Sequence, residues 1–370
     1  MHYTLHLTTQ CNLCCDYCYV DHQLKNDMTF ETARAVVDLA GSEAKRAGLI
    51  FFGGEPLLSR ELIYDTVAYA HSRERELGCR FYFKITTNGL LLDEDFLAFA
   101  CRENLIIALS VDGTREAHNA HRQNAQGHGS YDDVEQAARR LLAVKPYSSA
   151  LMTICPDTLH LYAAGVEALY SLGFSYVIAS LDYSADWKEH HLSELARQYE
   201  AIATLYEKKT LAEDKFYFSP FEVKISSHVN NRTYCHERCE LGLRQLSVGP
   251  DGTIYPCVQF VGDPEFRLGD VFSGVDEAAR QALYSRNEQE KPGCDRCAIR
   301  SRCNHYCACL NRQATGSIDK VSGMLCAHER IVLPIADDLA ARLYRQGSAL
   351  FIQKHYNDFY PLASLAEDLR

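Results

Sequence analysis

Four cysteines stand within eight positions in "TTQCNLCCDYCYV", residues 8 to 20, a density that marks the segment as a ligand loop. Thiolates are soft donors, suited to zinc or to iron–sulfur clusters. Cys11, Cys15 and Cys18 give the spacing C-x3-C-x2-C, which can wrap three corners of a cubane 4Fe-4S cluster and leave one iron open. A zinc knuckle is the competing reading, because Cys14 offers a fourth thiol, although zinc favours paired C-x2-C units. A second group fills the far end of the chain. Twelve residues separate Cys239 from Gly252 and four separate Gly252 from Cys257; Cys294-x2-Cys297-x5-Cys303-x3-Cys307 and Cys326 follow, with Cys235 just ahead of the set. A zinc ribbon needs only four of these thiols.

Such ligands need a frame that brings loops together. Short runs rich in β-branched and aromatic residues, "YTLHLT", "LIFF", "FYFKITT", "LIIALSV", "SALMTI" and "YVIAS", each precede a helical stretch, so six βα units fit before residue 190. Alternating strands and helices predict an α/β fold with parallel pairing, a partial (β/α)6 TIM-like barrel. Chemistry in such a barrel sits on the loops after the strands. Those loops are the cysteine loop, "GGEP" (Gly53 to Pro56), "TNG" (Thr87 to Gly89) and "SVDG" (Ser110 to Gly113). Glycine lets backbone approach a ligand, and Glu55 can pair with an ammonium. The predicted domains are residues 1–225 for the barrel, 226–330 for the cysteine-rich region and 331–370 for a terminal helical segment.

Composition narrows the classes. The 370 residues carry 38 basic and 49 acidic side chains, net charge -11, with no Lys/Arg block to follow a phosphate backbone, so nucleic acid is not an expected partner. No signal peptide and no bilayer-length apolar run is present, so a cytoplasmic protein without a membrane partner is expected. Sixteen cysteines in that setting point to metal or cluster ligation in place of disulfides.

The loops, in their order, resemble those of the radical S-adenosylmethionine (radical SAM) enzymes. The resemblance implies that Cys11, Cys15 and Cys18 bind a 4Fe-4S cluster whose open iron takes the amino and carboxylate groups of SAM. It implies further that Gly53, Gly54 and Glu55 meet the methionine amino group, that Ser110 and Arg122 hold the carboxylate, that Thr87 or Asn88 approaches the ribose, and that Tyr17 lies by the adenine. Cys14 falls outside the spacing and is expected to be a bystander. The second cysteine set looks like the SPASM extension of these enzymes, which holds two auxiliary 4Fe-4S clusters, three clusters in all. By that resemblance Cys239, Cys257 and Cys307 bind the proximal cluster, with Cys235 as candidate fourth ligand, and Cys294, Cys297, Cys303 and Cys326 bind the distal one. Cys235 departs from the sulfatase maturases in its shorter x3 spacing to Cys239, which leaves open a site that a substrate thiolate completes. Cys309, Cys79, Cys101 and Cys155 are expected to be buried apolar thiols or spectators.

The implied reaction is hydrogen abstraction from a peptide or protein by a 5'-deoxyadenosyl radical. "YPCVQFVGDPEFRLGDV" and "CNHYCACLNRQATG" resemble maturases that install Cys thioether crosslinks in ribosomally made peptides. Sulfatase maturases, which form formylglycine, carry an Asp after the cysteine matching Cys257, where this chain has Val258, with Asp182 and Asp263 as other acids that could serve. Carbon–carbon crosslinking is a further alternative. A plain iron–sulfur electron carrier would have no use for "GGEP" and "SVDG". No catalytic acid or base is assigned. An external one-electron reductant such as flavodoxin or ferredoxin is expected, and, since the first motif begins at residue 11, leader recognition is expected from a separate protein, from another surface such as the C-terminal helices, or not at all if the substrate has no leader.

Overall fold

The computed structural model describes residues 1–20, 25–230, 240–360, 362 and 364. The six expected strands are all present: β1 (His2–Thr8), β2 (Arg46–Gly53), β3 (Arg80–Thr87), β4 (Ile106–Ser110), β5 (Ser149–Ile154) and β6 (Tyr176–Leu181). Between them run α1 (Phe30–Glu43), α2 (Arg60–Leu77), α3 (Glu94–Arg102), α4 (Arg115–His121), α5 (Tyr131–Val144) and α6 (Tyr162–Leu172). This is the α/β architecture read from the sequence.

The chain forms two compact units that alternate along it. The first contains residues 1–110, 122–137 and 239–289. Its strands β1 to β4 pair in parallel, each with the next. One member of this sheet was not anticipated: β8 (Gln245–Val248), far downstream, pairs in parallel with the free side of β1 and turns back as an antiparallel hairpin into β9 (Ile254–Tyr255). After β1 is flanked on both sides, all but its first residue are buried, as expected for a central strand of a parallel sheet. Helix α1 covers it: Thr29 caps the helix through its hydroxyl to the Thr32 N–H, and Ala33, Val36, Val37 and Ala40 form the buried stripe. Tyr3, on the helix-facing side of β1, donates to Glu43 at the end of α1.

The second unit contains residues 111–121, 138–238 and 290–370. Strands β5, β6 and the short β7 (Tyr217–Phe218) pair in parallel, with α7 (Glu189–Leu211) and α8 (Ser219–Val229) downstream. Helix α9 (Glu277–Asn287) belongs to the first unit; in the second, α10 (Ala308–Thr315) precedes α11 (Gly323–Arg345) and α12 (Ala349–Tyr356), and α11 begins ahead of the 331–370 segment read from the sequence. Helix α11 packs on α7 and α8. Lys224 of α8 meets Glu329 of α11 in a buried ion pair, its Nζ 2.6 and 2.8 Å from the two carboxylate oxygens. Among the described residues no helix is long and apolar enough to cross a membrane.

Candidate functional site

In the first unit the ends of β1, β2 and β3 are laced together by backbone and carboxylate. Gly54 N–H donates to Thr8 O and Glu55 N–H to Gln10 O, both at 2.8 Å, so the "GGEP" turn lies against the start of the cysteine loop. A Cβ on Gly54 would stand 2.1 Å from Gln10 O, and one on Gly53, whose φ is +131°, would stand 2.4 Å from Thr8 O. The glycines are therefore required first by the approach of the cysteine loop itself, a closer constraint than the ligand approach that sequence suggests. Glu55 is fully buried, and both its oxygens are engaged within the protein: Thr87 Oγ1 at 2.7 Å, Leu57 N–H at 3.0 Å and Asn88 N–H at 2.8 Å. Burial pushes its carboxyl up to about 7 against the pull of these three hydrogen bonds. Glu55 thus ties the loop after β2 to the loop after β3, a role that residue type alone did not show.

The cysteine loop is fastened at both ends. Thr9 and Asn26 exchange hydrogen bonds at 2.9 Å, and Gln10 and Thr8 both bind Asp27. Cys18 N–H turns back on Cys15 O at 3.1 Å. Around the sulfurs the structure supplies donors: Leu13 N–H at 3.4 Å and the Asn88 side-chain amide at 3.7 Å both reach Cys11 Sγ. The same Asn88 amide binds Asn12 at 2.7 Å, which fixes its aim. Burial raises the Cys11 thiol to about 11, with Cys18 among the lesser causes, so the two sulfurs sense one another. N–H donors on a thiol that burial keeps protonated fit a cluster ligand, because ligation removes the proton and the donors then stabilise the thiolate.

Arg122, 7% exposed, places its guanidinium carbon 5.3 Å from the centre of the Tyr17 ring. Desolvation raises the Cys18 thiol, and Arg122 is the principal charge pulling it back down. The structure thus brings Tyr17, Cys11, Cys18, Glu55, Thr87, Asn88 and Arg122 into one connected neighbourhood. Ser110 closes β4 and is half-buried. Cys14 is exposed, and its N–H donates to Gln123 O at 2.7 Å.

The cysteine-rich region divides between the units. In the first, Gly252 (φ +86°) makes the left-handed turn between β8 and β9, and Cys257 is buried just after that hairpin. Cys235 and Cys239 lie outside the described residues. In the second, successive one-turn folds carry the rest: Cys297 N–H to Cys294 O, Cys303 N–H to Arg300 O, Cys307 N–H to Asn304 O. Cys294 is raised by burial and then by Cys326 and Cys297, and Cys303 by burial with Cys326 among the lesser causes. The four thiols expected for the distal cluster are therefore near neighbours. Their mutual repulsion as thiolates would be relieved by iron. Cys309 stands 3.4 Å from Cys307, and this contact, the largest cause, draws the Cys307 thiol below its ordinary value. The sequence reading treats Cys309 as a spectator; its i+2 spacing from Cys307, a candidate ligand, is the signal that could have linked the two.

Comparison with known proteins gives two family matches, the radical SAM superfamily over residues 5–160 and the SPASM iron–sulfur cluster-binding domain over residues 239–304. The cysteine-type anaerobic sulfatase-maturating enzyme of Clostridium perfringens (strain 13 / Type A) is 24% identical over 303 residues, 76% of this chain and 79% of that protein. The serine-type enzyme of Klebsiella aerogenes is 22% identical over 390 residues, 95% and 92% of the two chains. Among solved structures, native anSMEcpe with bound AdoMet superposes with a TM-score of 0.81 at 19% identity, covering 93% of this chain and all of that one. Streptococcus suis SuiB bound to precursor peptide SuiA gives 0.60 at 14% identity, with 88% and 75% covered.

Proposed function

Because the chain is a radical SAM enzyme with a SPASM domain, we propose that it matures a ribosomally made peptide by closing a thioether between a cysteine sulfur and a carbon. When bound, SAM and the clusters supply a 5'-deoxyadenosyl radical that takes a hydrogen atom from the peptide, and an acceptor for the second electron. The balance is one C–H and one S–H lost and one C–S bond gained. The chain's own part is to orient. Asn88 and Leu13 steady Cys11, Glu55 locks the loops after β2 and β3, and Arg122 offers a fork to the SAM carboxylate beside Tyr17.

The observation that carries the thioether reading is Val258. The residue after Cys257 is apolar, where the resemblance to sulfatase maturases calls for an acid. Val258 also lines a cavity of about 210 Å3 in the first unit with His6, Tyr19, Tyr255 and Val261, walls suited to a peptide side chain. Formylglycine formation is the second reading, favoured by the sequence similarity to sulfatase-maturating enzymes over most of the chain. Cys235 stays our candidate fourth ligand of the proximal cluster, and a flavodoxin or ferredoxin our candidate reductant.

Mass spectrometry of a Cys-containing candidate peptide co-expressed with the enzyme separates the readings. Loss of two hydrogens with a thiol that no longer alkylates supports the thioether. Loss of two hydrogens with an alkylatable thiol means carbon–carbon crosslinking, and an aldehyde at the cysteine means formylglycine; either result rejects our reading. For the SAM site, Arg122→Ala is expected to weaken SAM binding about 10- to 100-fold, the scale of a lost charge-assisted contact, while iron content stays at the wild-type level. An unchanged SAM dissociation constant would remove Arg122 from the site.

A further inference from the structure

Outside the cofactor loops, three donors of different chemistry converge in the second unit. His121 is the last residue of α4, and Cys155 and Asp157 follow β5, at the carboxyl end of the strand. One ring nitrogen of His121, the Cys155 sulfur and one Asp157 oxygen all lie within 4.8 Å of one another. His121 Nε2 is 3.3 Å from Asp157 Oδ1 and 3.2 Å from the Thr158 hydroxyl.

These spacings can be set against what a metal requires. Ligands about 2.0–2.3 Å from a tetrahedral zinc ion stand about 3.3–3.8 Å apart. The imidazole–carboxylate pair already has that separation, and the sulfur lies within 4.8 Å of both. His121 and Cys155 are only 6% and 4% exposed, while the Asp157 side chain is 65% exposed. Two ligands are thus held rigidly inside the fold and the third closes from the surface, which also gives an ion its way in. Charge fits as well. A thiolate and a carboxylate neutralise a dication, so the loaded site adds no net charge to a largely buried position. A mixed nitrogen, sulfur and oxygen set selects a borderline ion with no strong geometric demand, which is zinc.

We propose that His121, Cys155 and Asp157 bind one zinc ion, with the fourth position left to water. The ion clamps the last turn of α4 to the loop after β5. This site shares no residue with the candidate cluster ligands, so it stands or falls separately from the peptide-maturase reading.

The test uses holoenzyme reconstituted with iron and sulfide, equilibrated with zinc alone and desalted. Metal analysis is expected to find about one zinc per chain, and zinc K-edge X-ray absorption to show a single sulfur among nitrogen and oxygen neighbours. Loss of an outer-shell partner alone weakens metal sites about 10- to 100-fold, so Cys155→Ala and His121→Ala should each weaken zinc at least tenfold in chelator competition. Iron content, read on the same samples, should match wild type. Asp157→Asn, at the surface, provides a variant whose folding is not at issue and should also weaken zinc measurably. Absence of zinc from the wild type would overturn the proposal, leaving the three residues as a hydrogen-bonded brace. Zinc surrounded by three or four sulfurs would also overturn it, by placing the ion at cluster cysteines, as would wild-type affinity in Asp157→Asn and either alanine variant.

Discussion

Protein carrying Cys11→Ala, Cys15→Ala and Cys18→Ala together, reconstituted anaerobically, is expected to lose about a third of the wild-type iron, one cubane of three, and all reductive cleavage of SAM. The three sulfurs share one loop pinned at Thr9–Asn26, and Asn88 reaches Cys11 Sγ from the loop after β3. The paired control is Cys14→Ala. Its side chain is exposed, and the contact that matters, its N–H to Gln123 O, survives alanine. Iron content and SAM cleavage should stay near wild type. A Cys14→Ala protein without the SAM-binding cluster, beside a Cys15→Ala protein that keeps it, would show the register to be wrong by one.

The second large effect is on stability. Lys224→Met should destabilise the protein by about 3–5 kcal/mol, because it strands the Glu329 carboxylate, 2% exposed, without its partner. The pair also lies under the distal cysteines. Lys224 Nζ reaches Arg302 O at 3.4 Å, and Arg302 spans to Ser227 of α8 and Asp337 of α11, which seats the segment just before Cys303. Denaturant unfolding of the apoprotein measures the loss. The double variant Lys224→Met/Glu329→Leu, with no charge left behind, should recover most of it. If the single variant unfolds at the wild-type denaturant midpoint, the pair has no such role.

Much of this was legible in the sequence for physical reasons. All six βα strands announce themselves through β-branched and aromatic runs, β1 because nearly all of it is buried on both faces and β3 and β5 because every second residue is buried. The loops after β1 to β4 could be read as a site because chemistry at strand ends recurs in this architecture. What escaped was long-range. Strand β8 is four residues, Gln245–Val248, too short to signal by period, and its partner β1 lies over two hundred residues earlier. Lys224 and Glu329 are separated by 105 residues, and nothing in either local sequence pairs them. Glu55 was visible as a carboxylate beside glycines, but its burial and its clasp on Thr87 and Asn88 depend on β2 and β3 lying side by side. His121 and Cys155 sit 34 positions apart in the sequence, and nothing in their local context pairs them.

The central claim, that this chain aims a SAM-derived radical at a carbon of a Cys-bearing peptide, is tested most directly with deuterium. A candidate peptide deuterated at its non-exchangeable carbon positions is incubated with reconstituted enzyme, SAM and a one-electron reductant, and the 5'-deoxyadenosine formed is examined by mass spectrometry. The account predicts one deuterium transferred into 5'-deoxyadenosine for each peptide that loses hydrogen. Peptide modified while 5'-deoxyadenosine stays free of deuterium, or no SAM cleavage by protein with full iron content, would contradict it.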